Sequence, residues 1–343
     1  MRLRKVLAAL AALALAACGG DSRRTTQFEW TPVSGMECAD GTGTGLAVSR
    51  GSADVLVFLN GGGACWSETS CDASRGPFGA REVVLAQQLV RDTILDRGLG
   101  GNPFADFTIV FVPYCTGDVH AGDVVQPYPG LAGTWNHHGR RNVEAALGWI
   151  AASLPRPRRV VVAGSSAGGF GTLLAYDRVR AQWPATGPDA VGAALVDDSG
   201  PTFVGTAIPT SLRAAWWDAW NLTSTVTPLC PACRDDLSQI WSTVAAANST
   251  DRFALLSTTE DATIRAFFDN MTGAEFLPAL DGLTAFIEGL PSANARVFRV
   301  GPPRSNDHAL LLRPANYAAQ GTTLLGWLAP LATGSGAFDS AGP

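Results

Sequence analysis

The residues best suited to chemistry lie in one short stretch, Gly164-Ser165-Ser166-Ala167-Gly168, between the apolar run 159–163 and a helical pattern over 169–182. A G-x-S-x-G sequence between a strand and a helix is typical of a nucleophile elbow, whose small flanking residues permit a sharp turn. Ser166 then stands at a helix N-terminus, where free N–H groups and the helix dipole stabilise negative charge. We therefore predict Ser166 as a nucleophile. A plain glycine-rich turn is the alternative, and Ser165 lies off the apex.

A second glycine-rich stretch, Asn60-Gly61-Gly62-Gly63, follows an early apolar run and fits the same chemistry. Glycines let the backbone come close to a tetrahedral oxyanion, and the amide after the nucleophile is a second source of N–H donors. We predict an oxyanion hole formed by Gly62, Gly63 and Ala167. A phosphate-binding loop would instead require a following Lys-Ser/Thr pair, where this chain has Ala64-Cys65-Trp66.

The chain has four histidines, and only His308 follows Ser166 in sequence. In α/β-hydrolases the triad runs in the order serine, acid, histidine, so His308 is the predicted general base, with a lone surface histidine as the alternative. His137 and His138 begin a predicted helix, and His120 lies in a glycine-rich loop that can line the cleft.

Three carboxylates are candidates for the acid of the triad, which holds the imidazole tautomer and stabilises the imidazolium. Asp261 follows the apolar run 253–257 through a short loop, and Asp198 ends the preceding run. Asp307 adjoins His308 and is badly placed to face its ring. We predict Asp261 as the acid, with Asp198 left open as the alternative.

Apolar runs alternate with helical patterns, which predicts a mainly parallel sheet with helices on both faces. The predicted strands cover 53–60, 108–113, 159–163, 191–196, 253–257 and 296–300, and the predicted helices cover 81–97, 138–153, 169–182 and 262–270. Residues 201–250 are rich in Trp, Pro and Thr without a clear strand, which favours a helical cap over the carboxyl edge of the sheet. We predict one domain over 28–332 and a flexible tail over 333–343.

The N-terminus has the pattern of a bacterial lipoprotein export signal. A basic start precedes a short apolar run, and Leu15-Ala16-Ala17-Cys18 sets small residues before a cysteine. The run is too short to span a bilayer, which takes about 20 residues, and ordinary signal cleavage is the alternative. We predict removal of residues 1–17, acylation of Cys18 and a tether over 18–27. The protein is then exported and lipid-anchored to the membrane, facing the periplasm or the cell surface.

Composition narrows the classes of protein and of binding partner that remain. Hydrophobic residues make up 46% of the chain and charged residues 16%, which indicates a compact globular protein. The net charge of −5 and the scarcity of basic clusters exclude a nucleic-acid partner. Besides Cys18 there are six cysteines, an even number typical of disulfides in an exported chain. Cys65–Cys71 and Cys230–Cys233 are close enough to pair locally, leaving Cys38 and Cys115, although spacing alone does not fix the connectivity. A zinc site would require a second Cys-x-x-Cys pair, so we expect no metal.

With these residues the chain resembles the pectin acetylesterase and Notum family of serine carboxylesterases. The resemblance is carried by Ala163–Val179 with Asp198-Ser199-Gly200, by Leu59–Cys65 and by Val112–Val119, and runs with gaps from about Leu46 to His308. It implies an α/β-hydrolase fold and no cofactor. It also implies triad positions at Ser166, Asp261 and His308, and oxyanion positions at Gly62, Gly63 and Ala167.

The resemblance implies an ester on a larger molecule, either an acetyl group on a polysaccharide or a fatty acyl group on a protein. An acylated lipid is a further candidate substrate. Family members usually have Trp where this chain has Gly63, and 201–250 matches little, so the ester stays open. Trp66, Phe170 and Phe203 are candidate substrate-pocket residues, with core packing as the alternative, above all for Phe170. Rival functions are a polyester or lipid hydrolase or a peptidase on the same scaffold, and a non-catalytic surface-binding lipoprotein. We expect a monomer.

Overall fold

The structure is a computed structural model that describes residues 24–71 and 78–343, without the side chains of residues 85 and 86. The predicted signal sequence, Cys18 and the start of the tether lie outside the described residues. The strands are β1 (Glu29–Glu37), β2 (Gly43–Ser49), β3 (Val55–Leu59), β4 (Thr108–Val112), β5 (Val124–Pro127), β6 (Thr134–His137), β7 (Arg159–Ser165), β8 (Gly192–Asp198), β9 (Arg252–Thr258), β10 (Ala295–Val300), β11 (Ala318–Ala319) and β12 (Thr322–Thr323). The helices are α1 (Glu68–Cys71), α2 (Ala80–Gln87), α3 (Gly139–Ser153), α4 (Ala167–Leu174), α5 (Tyr176–Gln182), α6 (Thr210–Ala219), α7 (Leu222–Thr225), α8 (Gln239–Ala247), α9 (Ala262–Phe267), α10 (Gly273–Glu288) and α11 (Leu324–Thr333).

Eight strands form one sheet in the order β1-β2-β4-β3-β7-β8-β9-β10. From β4 onward every pairing is parallel, and β1 and β2 add antiparallel strands at one edge. The six predicted strands are the six parallel ones, which confirms the mainly parallel sheet. β1 is not predicted because this edge strand is about half exposed and its register is broken between Pro32 and Glu37, so it lacks an apolar run.

The sheet separates two hydrophobic cores. Along β3, Val55, Val57 and Leu59 face the core shared with α3, α4 and α10, whereas Leu56 and Phe58 face the core shared with α11. This alternation is the period of two that a strand imposes on its side chains. Because both faces are covered, the parallel strands are mainly apolar, and their carboxyl ends form one fixed edge.

The predicted helix over 81–97 ends early, at Gln87. The chain beyond it is irregular because side chains take over its main-chain hydrogen bonds. Asp96 accepts from the Asp92 and Gly98 amides, and Asn102 donates to the main-chain oxygen of Ile94.

Helix α10 is not predicted from the sequence, although its signal is present. Thr272 and Glu275 form a reciprocal capping box at its N-terminus. Phe276, Leu280, Leu283 and Ile287 then recur at helical spacing and are all buried.

Residues 201–250 contain α6, α7, α8 and a 3-10 turn at Pro231–Arg234, and no strand. The predicted helical character of this segment is therefore observed. Among the described residues no helix is both long and apolar enough to cross a membrane.

The C-terminal segment differs from the flexible tail predicted over 333–343. The Arg299 N–H donates to the main-chain oxygen of Ala341, and the Ala341 N–H donates to Val297, which aligns the chain end with β10. The ring of Phe338 lies 5.1 Å from that of Trp327. This part of the chain is ordered because it completes the edge of the sheet beside β10, a partner that composition does not reveal.

The six cysteines form three disulfides, Cys38–Cys115, Cys65–Cys71 and Cys230–Cys233. The pairing suggested by the local spacings is confirmed. Cys65–Cys71 follows the glycine loop directly, and the Cys65 N–H donates to Gly117 at 2.7 Å, so the loop is fixed at its C-terminal end.

Candidate active site

Ser166 lies at the turn between β7 and α4, in the position predicted for an elbow. Its backbone has φ 59° and ψ −122°, a strained conformation for a residue with a side chain, and it is the N-cap of α4. Its N–H donates to the main-chain oxygen of Asp198 at 2.7 Å, which ties the turn to the end of β8. The Ser166 side chain is thereby held out of the helix, partly exposed, above the first free amides of α4.

Close backbone contacts explain the glycines on either side of Ser166. A Cβ on Gly164 would lie 2.3 Å from the main-chain oxygen of Gly168, and one on Gly168 would lie 2.0 Å from that of Leu59. Neither neighbour is a flexible side chain that can move aside. The G-x-S-x-G pattern is therefore required by the packing of α4 against β3 and β7.

The glycine loop packs directly on the elbow, since a Cβ on Gly61 would lie 2.5 Å from the Ser165 main-chain oxygen and 3.1 Å from Ser166 Cβ. Gly62 and Gly63 have φ of 153° and 80°. Within the described part of the chain, the N–H groups of Gly62, Gly63 and Ala167 donate to no acceptor. Free amides on both sides of a serine can hold a negatively charged oxygen.

His308 and Asp261 are brought together by the loops that follow β10 and β9. Nδ1 of His308 lies 2.8 Å from Oδ2 of Asp261, and the Asp261 side chain is fully buried. The other carboxylate oxygen accepts from the Thr263 and Ile264 amides at 3.1 and 2.9 Å, because Asp261 is the N-cap of α9. The carboxylate is thus fixed on both oxygens, and it fixes the imidazole in turn.

The surroundings of His308 favour its protonated form. Burial alone lowers the pKa of the imidazole, but the hydrogen bond and charge of Asp261, together with the charge of Asp198, outweigh burial and raise the pKa above its ordinary value of 6.5. Ser166 Oγ makes no hydrogen bond to any described residue, including His308. In unliganded enzymes such contacts are often long and tighten only when substrate binds.

Asp198, the alternative acid, is fully buried, and both oxygens of its carboxylate already accept hydrogen bonds from groups other than His308. It accepts from the Ser165 hydroxyl at 2.6 Å and from the Leu310 and Leu311 amides at 2.8 and 2.9 Å. These bonds join the residue before Ser166 to the residues just after His308. Asp198 thus connects the two loops, while Asp261 contacts the ring. Asp307 faces away from the ring, toward Arg304 and Tyr317.

An apolar pocket opens at Ser166, Ala167 and Gly63, with a cavity volume of about 40 Å³. Its aromatic walls are formed by Trp66, Phe170, Trp216, Trp217, Trp220, Phe267 and Phe268. The prediction of Trp66 and Phe170 as pocket residues agrees with this wall. The prediction of Phe203 is wrong: its ring packs against Phe268 and Phe276 in the core and is fully buried.

The pocket residues predicted from the sequence do not include three tryptophans of the cap, Trp216, Trp217 and Trp220, or the pair Phe267 and Phe268. A signal was available for Trp216, Trp217 and Trp220, because such a cluster in a segment without strands is unusual. His120 is buried beside the glycine loop and does not line the pocket. Within residues 24–71 and 78–343, no group of three or more His, Cys, Asp or Glu side chains is arranged to hold a metal ion.

A family model described as Pectinacetylesterase matches residues 24–246. The chain belongs to the pectinacetylesterase family. The match to the pectinacetylesterase family includes the glycine loop and the elbow, and it ends before Asp261 and His308. The family resemblance predicted from the sequence is confirmed, and the family supports the predicted enzyme class, a carboxylic ester hydrolase.

Curated relatives of this pectinacetylesterase-family chain include the palmitoleoyl-protein carboxylesterase notum2 of Xenopus laevis, 31% identical over 173 residues. That match covers 48% of this chain and 34% of the relative, so the chain spans about a third of the relative's length. Another relative is the inactive palmitoleoyl-protein carboxylesterase notum1b of Danio rerio, 34% identical over 97 residues, or 26% of this chain and 68% of that protein.

Among solved structures, the Wnt deacylase Notum from Drosophila is similar to this pectinacetylesterase-family chain with a TM-score of 0.63 at 18% identity. The similarity covers 92% of this chain and 95% of the other. The similarity therefore extends beyond residue 246, where the family match ends. The α/β-hydrolase fold predicted from the sequence is confirmed.

Proposed function

We propose that this protein is a serine carboxylesterase that hydrolyses an acyl ester through Ser166, Asp261 and His308. The observation that carries the proposal is the backbone of Ser166, held at φ 59° on the wall of an apolar pocket. Strain of this kind persists only where the surrounding structure imposes it, and it is concentrated at functional sites. The buried carboxylate that fixes His308 supports the same function.

The proposed mechanism has two halves. Ser166 Oγ attacks the ester carbonyl carbon while Nε2 of His308 takes the hydroxyl proton, and the Gly62, Gly63 and Ala167 amides stabilise the oxyanion. The alcohol leaves with the proton from His308, which forms an acyl-enzyme. Water then attacks with His308 as base, and the free acid departs. Asp261 holds Nδ1–H throughout and stabilises the imidazolium.

We infer that the acyl group is short, such as acetyl. The cavity beside Ser166 is small, about 40 Å³. Its walls are large aromatic rings packed on each other, with Trp216 stacked on Trp220 at 5.7 Å and both in edge contact with Trp66. Packed rings of this size resist the displacement that a longer acyl chain would require.

A long acyl chain is the second candidate for the substrate. The Xenopus relative is named as a palmitoleoyl-protein carboxylesterase, and the walls of the pocket here are apolar throughout. A series of p-nitrophenyl esters from acetate to palmitate separates the two. The highest kcat/KM for acetate supports the short acyl group, whereas a maximum at about eight or more carbons supports the long one.

The test of the esterase itself compares Ser166→Ala with Ser165→Ala. Ser166→Ala is expected to lower kcat on p-nitrophenyl acetate by about 10⁵- to 10⁶-fold and to abolish labelling by a fluorophosphonate. Ser165→Ala loses only the hydrogen bond to Asp198, so it should still be labelled. Labelling that survives in Ser166→Ala contradicts the proposal.

A non-catalytic binding module is the rival from another class, and the inactive Danio rerio relative gives it a specific basis. An activated serine reacts with a fluorophosphonate within minutes, whereas an ordinary surface serine does not. Wild-type protein that resists the probe and hydrolyses none of the esters supports the rival.

We also propose that the protein is exported and anchored by lipid on Cys18, on the basis of the Leu-Ala-Ala-Cys pattern. Two or more acyl chains give stable membrane attachment. Labelling of cells with an alkynyl fatty acid should mark the wild-type protein and not Cys18→Ser. Equal labelling of both, or recovery of the wild type in the soluble fraction, contradicts this proposal.

A further inference from the structure

His120 is a buried histidine, 1% exposed, that has no part in the proposed triad. Nε2 of its ring lies 2.9 Å from the main-chain oxygen of Asn60, the residue that begins the glycine loop. A carbonyl oxygen only accepts hydrogen bonds, so Nε2 carries a proton and donates it. The imidazole therefore holds the peptide that leads into Gly61, Gly62 and Gly63.

His120 also packs against helix α4, which follows Ser166 directly. A Cβ on Gly171 of α4 would lie 2.9 Å from His120 Cβ, so the helix packs tightly against the histidine. The ring also packs on Tyr114, with centroids 4.8 Å apart, and a Cβ on Gly62 would lie 3.1 Å from the Tyr114 ring. His120 thus connects the helix that begins at the elbow to the loop that carries the free amides.

The backbone at His120 is itself held in an uncommon conformation. Val119 and His120 have φ of 49° and 59° in succession. The Val119 N–H donates to the Tyr114 hydroxyl at 2.9 Å, and the His120 N–H donates to the buried Asp118 carboxylate at 3.2 Å. Burial lowers the pKa of His120 to about 4 although the bond to Asn60 acts against it, so the ring is neutral near pH 7. A neutral ring donates through one nitrogen only, which here is Nε2.

We propose that His120 is a positioning residue, whose bond to the Asn60 carbonyl aims the Gly62 and Gly63 amides at the oxyanion. The proposal rests on the esterase function proposed above and adds a residue to it. Amide donors must lie about 3 Å from the oxygen that becomes charged. Loss of the bond lets the Asn60–Gly61 peptide rotate, and the two amides that follow it then move off their target.

The test compares two variants of nearly equal side-chain volume. His120→Leu removes the donor, and His120→Gln keeps an N–H that can reach the Asn60 oxygen. We expect His120→Leu to lower kcat on p-nitrophenyl acetate about 100-fold while KM changes little. Affinity for a trifluoromethyl ketone, which forms a tetrahedral oxyanion adduct on the serine, should fall by a similar factor, since both quantities report the same interaction. His120→Gln should exceed His120→Leu by about tenfold in both kcat and affinity for the ketone.

His137 supplies a matched control, because it is also fully buried and also bonded to a main-chain oxygen, that of Thr116 at 2.7 Å. Its other ring nitrogen lies 2.7 Å from the Tyr128 hydroxyl, so neither ring nitrogen bonds to the glycine loop. His137→Leu is expected to lower the melting temperature and leave ketone affinity unchanged.

Three results would overturn the assignment of His120. One is wild-type kcat and ketone affinity in folded His120→Leu, and another is an equal loss of ketone affinity in His137→Leu. The third is a His120→Gln variant no better than His120→Leu. In each case Ser166-dependent hydrolysis by the wild type persists, so the esterase proposal survives. A wild type that neither hydrolyses esters nor reacts with a fluorophosphonate overturns both.

Discussion

Asp198 accepts a hydrogen bond of 2.6 Å from the hydroxyl of Ser165, the residue immediately before the elbow serine. The same carboxylate accepts the Leu310 and Leu311 amides, two and three residues after His308. One buried side chain therefore sets the distance between the two loops that carry the serine and the histidine. Asp261, by contrast, bonds to the imidazole itself.

This division predicts different effects for the two aspartates. Asp261→Asn should lower kcat by about 10⁴-fold, because the histidine loses its tautomer control. It should keep most of its stability, since Asn is as good an N-cap for α9 as Asp.

Asp198→Asn should instead lower the free energy of unfolding by about 1–3 kcal/mol, because an amide NH₂ would face groups that are themselves donors. Urea denaturation and kcat on p-nitrophenyl acetate, measured on both variants, check this. A larger fall in kcat for Asp198→Asn, without loss of stability, would reverse the assignment.

The pH dependence of activity follows from the raised pKa of His308. The base must be neutral to take the serine proton, so kcat/KM should fall on the acid side, with an apparent pKa above the ordinary 6.5. Asp261 contributes to raising that pKa, so Asp261→Asn should shift the acid limb of its residual activity to lower pH.

Asp307→Asn is the control for the pH profile. Asp307 adjoins His308 in sequence, but its carboxylate bonds to Arg304 and Tyr317. The acid limb should stay where it is in this variant. A shift as large as that of Asp261→Asn would mean that another carboxylate sets the pKa of His308.

Widening the pocket should change acyl-chain preference. Trp216 is a suitable site because its indole N–H has no hydrogen-bond partner in the described structure, so its removal leaves no acceptor unpaired. Trp216→Leu should raise the ratio of kcat/KM for octanoate over acetate by about tenfold, as expected when a hydrophobic pocket gains room.

Trp241→Leu controls for the general cost of losing a buried indole. Trp241 is fully buried in α8, outside the pocket wall, and donates to Thr202. The Trp241→Leu variant should be less stable than wild type, with no change in the ratio of kcat/KM for octanoate over acetate. An unchanged ratio in Trp216→Leu would show that the acyl chain binds elsewhere.

Asp197 should make the wild type less stable as pH rises. Burial, then the charge of Asp198, raise the pKa of Asp197 well above its ordinary value, while the Gly200 amide acts in the opposite direction. The unfolded chain loses this proton near pH 4 and the folded chain only at higher pH, so rising pH favours unfolding through this group. Asp197→Asn removes the effect and should gain about 1–3 kcal/mol relative to wild type at pH 8, and less at pH 4. Urea denaturation at the two pH values measures it, and a larger gain at pH 4 would contradict the sign.

Local signals in the sequence are sufficient to predict the elbow and the six parallel strands of the sheet. The glycines around Ser166 are required by contacts with neighbouring backbone, so the motif and its structure coincide. The six parallel strands are buried on both faces and therefore read as apolar runs. Edge strand β1, half-exposed and interrupted, carries no such signal.

The amino-acid sequence by itself thus determined the parallel sheet, the elbow at Ser166 and the glycine loop, because each depends on residues a few positions apart. Only the tertiary structure decided that Asp261 contacts the His308 ring while Asp198 joins the loops, since these pairs lie 47 and 112 residues apart. Only the tertiary structure shows that Phe203 lies in the core, that Trp216 lines the pocket and that the chain end pairs with β10. In all these cases the deciding contact is with a residue that is distant in sequence, and composition carries no information about such partners.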